Sequence, residues 1–141
     1  MLQRISKKYA AITAGVAASL ACALILFAAY HPFRRYSAEM KLTEMEIREV
    51  SSQCPAGVDK ERWDGVSTAL VTALWNACPY YSVSPAALRN LRDDISEIRH
   101  MDGDLTGDEL VAIWERIGRC SPTASSYCKR FRPWFDEVLH Q

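Results

Sequence analysis

The stretch Tyr9-Ala-Ala-Ile-Thr-Ala-Gly-Val-Ala-Ala-Ser-Leu-Ala-Cys-Ala-Leu-Ile-Leu-Phe-Ala-Ala-Tyr30 contains no charge in 22 residues. As a helix at ~1.5 Å per residue it is about 33 Å long, enough to cross a ~30 Å hydrocarbon core. A helix satisfies its own backbone hydrogen bonds, so it can lie in lipid. Tyr9 and Tyr30 stand at its two ends, where amphipathic rings favour the interface. Pro32 is the predicted stop. Arg4, Lys7 and Lys8 precede the stretch, and Arg34 and Arg35 follow it. This reading divides the chain into a short basic tail (1–8), a transmembrane anchor (9–30), a juxtamembrane or stalk helix (31–53) and a bundle domain (54–141).

A cleaved signal peptide is the rival reading. The apolar run exceeds the 7–15 residues of an ordinary signal core, and no small-x-small pair closes it. Ser19-Leu20-Ala21-Cys22 resembles a lipoprotein cleavage box. Ser19 stands where that box takes a branched apolar residue, and the residues after Cys22 stay apolar. The expectation is an uncleaved signal-anchor. Lys and Arg on the two flanks tie, so the positive-inside rule sets no orientation. Cysteine usage then favours a bundle outside the cytoplasm, with the N-terminus inside.

Ala11, Gly15, Ser19 and Ala23 recur every fourth residue along the anchor. Small residues at this spacing let helices approach closely in lipid, so this face predicts contact with a second copy or another membrane protein. The partners expected are therefore the bilayer and a protein.

Beyond the anchor the pattern is helical, and no segment alternates with period two. Ser37–Ser51 lacks Gly and Pro and reads as a stalk. Cys54-Pro55-Ala56-Gly57 is a break. Asp59 caps a helix to about Cys78, with Trp63, Val66, Leu70, Val71, Leu74 and Trp75 on its buried face. Ser84-Pro85 starts the next helix, whose stripe is Leu88, Leu91, Ile95 and Ile98. Thr106-Gly107-Asp108-Glu109 is a capping box before Leu110, Ile113, Trp114 and Ile117. Ser121-Pro122 opens a last helix, which Pro133 is expected to interrupt. The fold class is all-α, a single N-terminal transmembrane helix followed by a four- or five-helix bundle with short loops.

Cys54, Cys78, Cys120 and Cys128 lie in the bundle. An even count in a small tethered domain predicts two disulfides in an oxidising compartment. Cys54 and Cys78 flank one helix, too far apart to pair. Cys78 with Cys120, and Cys54 with Cys128, is the expected pairing. The spacings fit no zinc or haem site, and His31, His100 and His140 stand apart.

Asp102-Gly103-Asp104-Leu105-Thr106-Gly107-Asp108-Glu109 resembles the second half of an EF-hand calcium loop, with Asp102, Asp104 and Glu109 as the metal candidates. In one register the first oxygen positions fall on Ile98 and His100, and in the other Ile113 replaces the closing Glu. The favoured reading is a helix–turn–helix corner with a capping box.

The formal net charge is zero, with 17 Lys+Arg and 17 Asp+Glu, which argues against a nucleic-acid binder. Asp93, Asp94 and Glu97 sit among Arg89, Arg92 and Arg99, the pattern of a solvated helix face. In Lys129-Arg130-Phe131-Arg132-Pro133-Trp134 the rings are expected to pack inward and the cations to stay in water. No nucleophile elbow, dinucleotide fingerprint, P-loop or zinc-protease motif is present, and no cofactor is implied. The function expected is a non-enzymatic, membrane-anchored interaction or accessory module. The alternatives are an accessory subunit of a membrane enzyme complex, or a calcium-responsive module built on 102–109.

Overall fold

The computed structural model describes residues 2–99 and 105–140, with side chains from Tyr9 onward except Arg99. Five helices run in order: α1 (Leu2–Ser51), α2 (Lys60–Ala77), α3 (Pro85–Arg99), α4 (Gly107–Gly118) and α5 (Pro122–His140). No strand occurs among the described residues. The chain divides into two compact units, Met1–Arg35 and Tyr36–Gln141.

In the first unit every side chain from Tyr9 to Arg35 is exposed. Among the described residues α1 is the one helix long and apolar enough to cross a membrane. Pro32 does not stop it, because α1 continues to Ser51. A proline removes one i→i−4 hydrogen bond, and neighbouring turns on both sides keep theirs.

The second unit is the bundle, and it begins well before residue 54. Tyr36, Met40, Thr43, Ile47 and Val50 are all buried at spacings of three or four residues, and so is Ser51 beside Val50. The expected stalk is thus a core helix. Its polar residues are satisfied across the interface. The Tyr36 hydroxyl donates to the Cys78 carbonyl at 2.7 Å. Thr43 Oγ1 donates to the Glu39 carbonyl of its own helix and lies 3.3 Å from the Leu88 carbonyl. Ser51 Oγ and Ser67 Oγ are 2.5 Å apart, and Trp63 Nε1 donates to the Ser51 carbonyl. Glu39 receives Arg92 at 2.8 Å and Arg89 at 3.6 Å. These contacts seat the second half of α1 against α2 and α3.

The start signals behave as read. Asp59 accepts from the Arg62 N–H, Ser84 Oγ from the Ala87 N–H, and Ser121 Oγ from the Ala124 N–H. Gly57 takes a φ of +85°, a left-handed turn that suits glycine before α2. The core gathers Leu70 and Leu74 of α2, Leu88 and Ile95 of α3, Leu110, Ile113, Trp114 and Ile117 of α4, and Phe135 of α5. Trp75 is a correction. It is 41% exposed, and its indole N–H donates to Glu44 at 2.8 Å. That bond, with Arg48 beside it, holds the Glu44 carboxyl below its ordinary range.

Pro133 is a second correction, since α5 runs through it to His140. Phe135 is fully buried and stacks on Trp114, ring centroids 4.4 Å apart. That packing holds the last two turns in line despite the missing hydrogen bond. Arg62 donates to the Leu139 carbonyl at 2.6 Å, so the end of α5 lies at the start of α2. The two helices run antiparallel, and α4 packs beside them.

α4 and α5 meet closely at Gly118. A Cβ there would lie 3.1 Å from Cys128 Cβ. Alanine improves helix propensity by up to about 1 kcal/mol but crowds α5 by about 1–3 kcal/mol. Gly118→Ala is therefore expected to destabilise the bundle by about 1 kcal/mol in urea unfolding, and a stabilised variant contradicts this packing.

Candidate functional site

Three cysteines concentrate at the end of the bundle where α2 finishes and α5 begins. Cys78 is fully buried, Cys128 is 5% exposed and Cys120 is half-buried. The Cys78 and Cys120 thiols face each other. That contact, reinforced by burial, pushes the Cys78 thiol far above its ordinary range and lowers Cys120. Burial lifts Cys128 to about 11. The antiparallel run of α2 and α5 explains the meeting, because it carries Cys128 to the α2 C-terminus.

The expected disulfides are not formed. All five cysteines are free thiols, and none stands at disulfide distance from another. Cys54 lies at the other end of α2, roughly 27 Å away along the helix, with its sulfur near the Pro55 and Val58 carbonyls. The pairing of Cys54 with Cys128 is thereby corrected, since their ends of the bundle are opposite.

A groove of about 430 Å³ opens between α4 and α5. Trp114 and Cys128 line it with Gly118 and Ser125, and Glu115, Arg119, Lys129 and Arg132 complete the lining. Arg132 is committed within the protein, pairing with Asp136 at 2.8 Å and Glu115 at 3.3 Å, and these partners keep it charged. The Trp114 indole N–H donates to the Cys128 carbonyl. The groove offers shape and charge.

Of the calcium candidates, Asp102 and Asp104 lie outside the described residues. Glu109 is used locally. Its carboxylate accepts from the Thr106 N–H, and Thr106 Oγ1 accepts from the Glu109 N–H. The capping box is complete. Among the described residues no three His, Cys, Asp or Glu side chains gather as a metal cage.

Ala11, Gly15, Ser19 and Ala23 lie on exposed helix in the first unit. Nothing stands within 4 Å of a Cβ placed on Gly15, and Ser19 Oγ is turned back onto the Gly15 carbonyl. The row is therefore open to a neighbour. What sequence reasoning missed is the distribution of aromatic and charged groups at the Cys78 end. Tyr80 packs edge-on against Tyr36, ring centroids 5.3 Å apart, and Tyr81 is 86% exposed. Those groups come from three distant segments, and only the fold brings them together.

Neither a protein-family model, nor a curated protein, nor a solved structure matches the chain.

Proposed function

We propose that the chain is a single-pass membrane protein whose helical bundle serves as a non-enzymatic interaction or accessory module. The observation that carries this reading is the division of apolar surface. Leu20, Leu24, Ile25, Leu26 and Phe27 are each at least 60% exposed, whereas the bundle closes its own core without them. A contiguous apolar surface of that kind is tolerable in lipid and costly in water. Carbonate extraction of membranes tests the anchor. The chain is expected in the pellet, and recovery in the supernatant overturns the reading.

The module works through contacts, within the bilayer by the row Ala11, Gly15, Ser19 and Ala23. Close helix approach at that row needs side chains no larger than serine. Gly15→Leu with Ser19→Leu is expected to lower the cross-linked fraction in membranes severalfold while leaving the chain carbonate-resistant. Unchanged cross-linking assigns the contacts elsewhere.

In the same proposal the bundle lies outside the cytoplasm, with the N-terminus inside. Support comes from the even count of four cysteines in the bundle, a usage that suits an exported domain. Membrane-impermeant maleimide on intact cells decides this. Labelling of Cys54 on intact cells fits, and labelling that requires opened cells reverses the orientation.

A further inference from the structure

Three segments of the chain carry cations and no anions: 31–38, 78–92 and 117–130. Together they hold seven Lys or Arg (Arg34, Arg35, Arg89, Arg92, Arg119, Lys129 and Arg130), and all 17 Asp and Glu lie elsewhere. The fold gathers the second and third segments at one end of the bundle, with Tyr36 of the first. The Tyr36 hydroxyl binds the Cys78 carbonyl, Tyr36 packs on Tyr80, and Cys78 lies beside Cys120 and Cys128. Much of the acidic charge lies the other way, although Glu115 shares the groove with Arg119 and Lys129 and Asp94 lies near Cys120. Glu49, Asp59, Glu61, Asp108, Glu109, Asp136 and Glu137 fall near the opposite ends of their helices.

Some of these cations have structural partners. Arg89 and Arg92 pair with Glu39. Arg119 and Lys129 are exposed on the groove, and Arg130 is exposed beside the Phe131 ring. Tyr81, at 86% exposure, has no packing role in the bundle. Exposed tyrosine among exposed cations is the composition of a membrane-interface surface. The covalent chain supplies the occupant. Six residues lead from Tyr30, the end of the apolar span, to Tyr36, at most about 20 Å even fully extended.

We infer that this end of the bundle, with Tyr81, Arg119, Lys129 and Arg130, docks onto anionic phospholipid headgroups of the membrane that the chain spans. The inference rests on the membrane-anchor reading. Docking is electrostatic and interfacial. Each cation near an anionic surface shifts the docked-to-free ratio about fivefold, and salt weakens it.

The test is amide hydrogen exchange of the full chain reconstituted in vesicles of phosphatidylcholine alone, or with a third phosphatidylserine. Exchange at 79–84 and 119–123 is expected to slow at least fivefold in the anionic vesicles. High salt should remove the effect, and so should Arg119→Gln with Lys129→Gln and Arg130→Gln. The opposite end, at 107–111, should exchange equally in both. All three substitutions are at exposed positions, so an unchanged urea midpoint confirms that the variant is folded. Exchange independent of lipid charge, in a chain that resists carbonate, overturns the docking alone. Release by carbonate overturns the anchor reading and the docking with it. Protection that tracks protein density rather than lipid charge gives the surface to a second copy and also overturns the proposal.

Discussion

Replacing Trp114 with alanine should remove about 3–5 kcal/mol of stability, the range for truncating a buried aromatic. Trp114 is 1% exposed, its ring lies on Phe135 at 4.4 Å and 12° from parallel, and its indole N–H is bonded to the Cys128 carbonyl. Alanine leaves a cavity between α4 and α5 and deletes that hydrogen bond. A domain of this size holds about 5–15 kcal/mol in total, so the variant loses roughly a fifth of it or more. Unfolding in urea, with the full chain in detergent, can be followed by alkylation of the buried Cys78 thiol. That readout does not depend on tryptophan. A loss below about 1 kcal/mol contradicts the packing of α5 on α4.

Met40→Ala is the second large effect, and it separates a core helix from a stalk. Met40 is fully buried, and truncating such a residue costs about 2–5 kcal/mol. Met45 lies on the same helix but is 64% exposed. Met45→Ala should change stability by no more than about 0.5 kcal/mol, as surface substitutions do. The same Cys78 alkylation measures both. Equal, small effects at the two positions return 36–51 to a solvent-exposed stalk.

The sequence made the helices and their starts readable because those signals are local. Ser84-Pro85, Thr106 with Glu109, and Ser121-Pro122 each act within one turn, and each forms in the structure. The stops were less readable. Pro32 and Pro133 both have the chemistry of a helix breaker, yet both lie inside helices. A proline's cost is local, and packing elsewhere, such as Phe135 on Trp114, outweighs it. The role of residues 36–51 was hidden for a different reason. Met40, Ile47 and Val50 form a sparse stripe, and buried Thr43 and Ser51 dilute it. Their polar atoms find partners on α2 and α3, which no reading of the segment by itself supplies.

The candidate surfaces follow the same division. The row from Ala11 to Ala23 is visible as a spacing. The meeting of Cys78 with Cys120 follows from antiparallel helices, which short loops already imply. The cationic end is different, because Lys129 looks like an ordinary solvated charge until the fold sets it on one groove with Arg119. Linear order conceals what three returning helix ends expose.

The hydrogen bond of Thr43 to the Leu88 carbonyl spans 45 residues. Translation proceeds at roughly 5–20 residues per second. The α1 face that bears Met40 and Ile47 therefore exists for about 2–9 s before α3 has been made, and longer before Phe135 completes the core. In that interval an apolar stripe stands uncovered next to the exposed apolar first part of α1. Chaperone holding or proteolysis of unfinished chains should act at this stripe, and a chain cut short before α5 should be cleared faster than the full-length protein.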